Sequence, residues 1–264
     1  MRRLTLFAAG ATAAVAIGTA VPRTAVAQRF QGTMRFTVHS SDGKTTEITQ
    51  LARPGKASFL VNDGGKLGGM IVDSTAGTMT VVSSESKSYM VMSLAMIQQM
   101  ASRMADAMKN MPNASGNPSD DADEKGGPKG KLTATGRSEV VAGIRCQVYA
   151  YDGMENGKHQ TGEVCLAKGA GMMAAGANPM DLMPGMHGRA RSDLVRRQFA
   201  HMGDLGTLLA QGYGILKGSG SEDGKFQGSV EVTSYDPSLP SEAAFEPPAG
   251  YSKKEMRGMP GGPN

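Results

Sequence analysis

Between Arg29 and Met92 the chain meets a turn signal about every ten residues, the spacing of an all-β meander. Ser41-Asp42-Gly43, Pro54-Gly55, Asp63-Gly64-Gly65, Thr75-Ala76-Gly77 and Ser84-Glu85 are the turn clusters. The segments between them are too short for stable helices and long enough for strands. Met34, Phe36 and Val38 alternate with Thr33, Arg35, Thr37 and His39, the period-2 mark of a half-buried strand. Further strands are expected over 44–53, 55–62, 67–73, 77–83 and 86–92.

The period then changes. Met92, Met96, Met100, Met104 and Met108 recur every four residues, with Ile97, Ala101 and Ala105 beside them and Gln98, Gln99, Arg103, Asp106 and Lys109 opposite. This spacing predicts an amphipathic helix from a Ser93 cap to about Met111, stopped by Pro112. Residues 112–131 hold no large apolar side chain and read as a disordered insertion. Asp120, Asp121, Asp123 and Glu124 within it lack calcium-loop spacing and read as a solvated acidic run. Strands resume at Leu132, continue through Ile144–Tyr151 and return over about 158–167. A Gly/Met/Pro-rich stretch, 169–188, precedes a second amphipathic helix over about 192–210, with Val195, Phe199, Met202, Leu205 and Leu209 on its apolar face and Gly212 at its end. Two last strands are expected at 213–219 and 225–236, the second with Phe226, Val230 and Val232 on one face and Gln227, Glu231 and Thr233 on the other. The expected organisation is a signal at 1–27, one domain over 28–252 and a flexible tail, 253–264.

The first 27 residues carry Arg2 and Arg3, an apolar run from Leu4 to Val21, and Ala25-Val26-Ala27 before Gln28. These are the three parts of a secretory signal. Its removal takes Arg2, Arg3 and Arg23 from the 28 basic residues and none of the 24 acids. The remainder is nearly neutral, which argues against a nucleic-acid binder, since that needs a basic face. No later stretch is apolar enough to span a bilayer. The chain is therefore expected to be exported, periplasmic or extracellular, and not integral to a membrane once the signal is gone.

Cys146 and Cys165 are the two cysteines. A turn centred on Glu155-Asn156 sets them directly opposite one another, and in an oxidising compartment a structural disulfide is expected. A redox pair lacks both the C-x-x-C spacing and a helix N-terminus to hold a thiolate. The 20 methionines are the compositional anomaly. Three readings of them stand: gap-filling core, a Cu(I) site of thioethers, and an adaptable Met-lined groove for lipid or peptide. Met180, Met183 and Met186, spaced by three and followed by His187, form the candidate copper cluster. No G-x-S-x-G or H-E-x-x-H motif announces a hydrolase, and His39, His159, His187 and His201 are scattered. Gly169 to Ala174 fits a dinucleotide fingerprint formally, but its setting is an antiparallel hairpin rather than a βαβ unit.

Four segments together resemble the bacterial domain-of-unknown-function family 4412. They are Phe30–Phe36, Val141-Ala142-Gly143-Ile144-Arg145-Cys146, Gly162-Glu163-Val164-Cys165-Leu166-Ala167 and the closing Leu239–Tyr251 with its Pro/Phe/Pro-Gly-Tyr pattern. The resemblance implies the lipoprotein-carrier (LolA/LolB-like) fold: an α+β, mainly β chain whose strongly curved antiparallel sheet forms a half-open barrel. Two amphipathic helices would cover its concave side. It implies an apolar cavity and no catalytic residue. The expected function is a non-enzymatic envelope protein without a cofactor, holding a lipid or lipoprotein acyl chain against Met96, Met100, Met104, Phe199 and Met202. A copper(I) protein using Met180, Met183, Met186 and His187 is the alternative, and an envelope interaction or stress protein with no small ligand is the third reading.

Overall fold

The computed structural model describes residues 30–109, 130–155, 157–172, 174, 182 and 202–255. The alternating segment at the start forms β1 (Gly32–Ser40), and each turn cluster after it reverses the chain. Strands β2 (Thr45–Arg53), β3 (Lys56–Asp63), β4 (Lys66–Asp73), β5 (Thr78–Ser83) and β6 (Ser88–Ser93) follow. Each pairs antiparallel with its predecessor. Helix α1 (Leu94–Lys109) starts where expected, because the Met96 N–H donates to Ser93 Oγ at 3.1 Å and satisfies one of the free amides of the first turn.

The second half repeats the pattern. Strands β7 (Lys131–Val141), β8 (Ile144–Glu155), β9 (Lys158–Lys168), β10 (Tyr213–Glu222) and β11 (Lys225–Asp236) pair in sequence order. Helix α2 (Asp204–Ala210) precedes β10. Gly212, at φ +89°, donates its N–H to the Leu209 carbonyl at 3.0 Å and ends the helix. The pairing of β1 with β11 joins both halves into one open sheet, in the order β12-β6-β5-β4-β3-β2-β1-β11-β10-β9-β8-β7. The fold is thus α+β and mainly β. Its ladders are antiparallel except at one edge, where the short β12 (Ser252–Lys253) runs parallel to β6. The Lys254 N–H also donates to the Tyr89 carbonyl at 2.8 Å, so the paired chain extends into the stretch expected as a tail.

Near β7 the sheet is not flat. Lys217 on β10 reaches Glu139 on β7 at 3.4 Å, although three strand spacings would put their backbones about 14 Å apart in a flat sheet. The largest apolar cluster draws on both halves: Met34 and Phe36 from β1, Ile48 from β2, Cys146 and Val148 from β8, Leu216 from β10 and Val232 from β11. Burying each of the large side chains contributes about 1.5–3 kcal/mol. Helix α1 seats Leu94 on Val72 and Met79. Helix α2 seats Leu205 and Leu209 on Leu166 and Ile215.

A strap unforeseen in the sequence crosses the other half. Phe245 of the 3-10 turn Glu242–Phe245 packs with Leu51, Ile71 and Val82. Glu242 pairs with Lys56 at 2.6 Å and Arg53 at 3.0 Å, and Tyr251 Oη donates to the Leu67 carbonyl at 2.8 Å.

The cysteine expectation holds in its pairing and shifts in its register. Cys146 and Cys165 are disulfide-bonded. Glu155 pairs with Lys158, so residues 156 and 157 connect the strands, and Cys165 faces Val148 rather than Cys146. The slip is two residues, and an even slip leaves every side chain on its own face.

Candidate functional site

The register of the second half builds a trough of missing side chains. Gly162 on β9 pairs with Gly220 on β10, and Gly220 pairs with Gly228 on β11. Tyr151 on β8 and Ser40 on β1 close the ends of this row. The neighbouring row is Val164, Gly218, Val230 and Val38. Three adjacent glycines leave the floor as bare backbone, and the valines and the Tyr151 ring stand around it.

Helix α2 roofs one end. The Asp204 N–H donates to the Gly130 carbonyl at 3.0 Å, and the Asp204 carboxylate accepts from the Leu132 N–H at 3.0 Å. A Cβ on Gly203 would lie 2.1 Å from the Gly130 carbonyl oxygen, so only glycine allows this approach. Met202, just before the helix, and Leu205 on it stand over the trough, which forms an open cavity of about 420 Å³. Its walls are mainly apolar: Val38, Val164, Ile215, Val230, Leu205 and Met202.

The far end is polar. Gln160, two residues beyond Gly162, donates to Glu222 at 2.9 Å, and Lys158 pairs with the same carboxylate. Lys158 first, and Gln160 second, hold Glu222 below the ordinary carboxylate range. On β11 a register shift leaves Gln227 between the pairs Gly220–Gly228 and Ser221–Phe226. Such a bulge re-aims side chains. Gln227, expected on the polar outer face, lines the cavity, and Phe226, expected to face inward with Val230 and Val232, is 49% exposed.

A second, smaller cavity of about 160 Å³ lies beside Cys165. Its lining is mixed: Glu139, Glu163, Glu231 and Lys217 beside Val148, Val164 and Val230. Arg137 pairs with Glu163 across its rim.

Of the residues singled out as a ligand wall, Met202 lines the large cavity. Met96 is half-buried and Met100 42% exposed, both on α1 and neither in that wall. The Met104 side chain and Phe199 lie outside the described residues, as do Met180, Met183, Met186 and His187. Met34 and Met79 are buried among apolar neighbours, as gap-filling core. His159 Nε2 lies 3.2 Å from Asp152 Oδ1, with both groups exposed. Gly169 to Met172 forms isolated bridges, Ala167 to Ala170 and Met172 to Ile215, rather than a strand-to-helix turn. No group of three or more His, Cys, Asp or Glu suited to a metal occurs among the described residues. Among the same residues no helix is long and apolar enough to cross a membrane.

No family model and no curated protein matches the chain. The solved structures similar to the chain include two distant ones. An uncharacterized conserved protein from Thermus thermophilus aligns over 86% of this chain and 91% of its own, at 8% identity and a TM-score of 0.39. PNGF-II aligns over 85% of this chain, at 8% identity and a TM-score of 0.25, and the match spans 30% of its length. At these scores neither likeness bears on the activity of this chain.

Proposed function

We propose that the protein is an exported, non-enzymatic binder of an apolar ligand, a lipid or an acyl chain. The observation that carries this reading is the wall of the large cavity: about 420 Å³ bounded by four strand side chains, Met202 and Leu205 over a glycine floor. That volume falls within the range of small-molecule sites. Adaptable Met and branched aliphatic walls suit a flexible chain better than a rigid polar substrate. Among the described lining residues His39 and Tyr151 are the titratable ones, and His39 Nδ1 is engaged by Thr45 Oγ1 at 3.0 Å.

The half-open barrel of the lipoprotein carriers, and the likeness to family 4412, belong to this reading. The Lys217–Glu139 pair across the curled strands supports the half-barrel. The Cys146–Cys165 disulfide supports export, since such bonds persist in oxidising compartments.

Native mass spectrometry of protein purified without detergent from an exported fraction tests the proposal. The expected result is a mass excess of a lipid or fatty acid, or uptake of one when it is added. Gly218→Leu should abolish it, because a Cβ there meets Val164, Ile215 and Val230 at 3.4–3.6 Å without backbone strain and fills the floor. A chain that carries and accepts no acyl ligand overturns the proposal.

A further inference from the structure

We infer that the cavity takes a single-chain amphiphile with an uncharged, hydrogen-bonding head, seated tail first. This rests on the acyl-binding reading and adds the chemistry of the head and its direction.

Position along the strands sets a gradient. On β9 the order is Leu166, Val164, Gly162, Gln160. On β10 and β11 it runs from Ile215 and Val230, through Gly218, Gly220 and Gly228, to Gln227. The apolar end lies under α2, where Leu205 and Leu209 pack on Leu166 and Ile215. The amide end lies at the opposite mouth. A tail therefore points toward Leu166 and Ile215 and a head toward Gln160 and Gln227.

The charge at that mouth decides the kind of head. Among the described lining residues there is no Lys, Arg, Asp or Glu. Just outside it, Glu222 is already held by Lys158 and Gln160, and the Asp223 carboxylate accepts from the His159 N–H at 3.0 Å. On the β1 side, Asp42 is paired with Lys44 at 2.6 Å. Lys158 and Lys44 are thus engaged, Lys225 stands directly across the ladder from Glu222 and outside the wall, and an anionic head would enter beside carboxylates with no cation among the described lining residues. Burying an unpaired ionised group is costly. An ester, amide or hydroxyl head has no such cost, and glutamine amides both donate and accept to it.

The test uses protein from the exported fraction and two probes of one chain length, 1-monopalmitoylglycerol and palmitate, in competition at pH 8. The expected result is at least a tenfold preference for the monoacylglycerol. Gln227→Lys, which places a cation in the mouth, should erase that preference by raising palmitate binding, and Gly218→Leu should remove both ligands. Equal or tighter binding of palmitate to the unaltered protein overturns the assignment of an uncharged head and leaves the acyl reading standing. Failure of both probes to bind overturns the acyl reading and this inference with it.

Discussion

Cys165 is bonded to Cys146 while its backbone partner across the ladder is Val148. The bridge therefore runs diagonally over the β8–β9 hairpin, with its Cα atoms 5.4 Å apart. Both sulfurs sit in the main apolar cluster, and each cysteine is at most 3% exposed.

That bridge closes a sequence separation of 19 residues. In the chain-entropy model a loop of this size adds about 3 kcal/mol. The double variant Cys146→Ala/Cys165→Ala is expected to lose about that much or somewhat more, since two small cavities are also left. Urea unfolding of the variant against the oxidised protein measures it. Equal midpoints would show that the bridge contributes nothing.

The glycine row separates two kinds of glycine. A Cβ on Gly162 would stand 2.2 Å from the Ser219 carbonyl oxygen, whereas one on Gly220 meets nothing nearer than 3.9 Å. Gly162→Ala should destabilise by about 1–3 kcal/mol through forced backbone displacement. Gly220→Ala should be neutral or stabilise by up to about 1 kcal/mol, through the reduced freedom of the unfolded chain. Thermal unfolding of the two single variants distinguishes them, and a similar loss in both contradicts the assignment.

The strap at Glu242 predicts an acid-side loss. Lys56 above all, with Arg53, lowers the Glu242 carboxyl, and at Asp73 burial, which raises it, is outweighed by the Ala76 amide, Lys56 and the Thr75 amide, which lower it. A carboxylate more acidic in the folded state favours folding when ionised, so its contribution is complete above the ordinary carboxylate range and fades as pH falls through the lowered folded values. The exposed pairs make this effect small and sensitive to salt. Stability of Glu242→Gln should fall less steeply than that of the parent below the carboxylate range, in denaturant titrations at stepped pH and low salt. Superimposable pH profiles would remove Glu242 from the account.

Phe245 is the apolar anchor of the same strap, buried against Leu51, Ile71 and Val82. Phe245→Ala should cost about 3–5 kcal/mol. It should also speed hydrogen exchange of the Ser252 and Lys254 amides, which donate to Lys87 and Tyr89. Unchanged exchange at those amides would show that β12 holds without the anchor.

Much of the strand order was legible because it is written locally. Turn clusters and period-2 alternation marked β1 to β6 within a few residues, Ser93 and Gly212 marked helix ends, and the parity of Cys146 and Cys165 survived a misplaced turn. The cavity was not legible in the same way. Its floor needs Gly162 brought beside Gly220 and Gly228 of a much later hairpin, in one row made by two ladders. The helix stripe of Met96 and Met100 was easier to see than that row, and it lies elsewhere. Phe226 and Gln227 exchanged their expected environments because alternation assumes an unbroken ladder, and the bulge on β11 breaks it.

The sequence by itself determined the main strands, the helix ends at Ser93 and Gly212, and the inward faces wherever the ladder is unbroken, since turn chemistry, helix caps and side-chain period act over neighbouring residues. Tertiary structure alone decided that β1 pairs with β11 to make one sheet, that Glu242–Phe245 straps its far half, and that Gly203 lets α2 close over a glycine trough. Each of these depends on contacts between segments tens to hundreds of residues apart, whose register is set by packing rather than by any local signal.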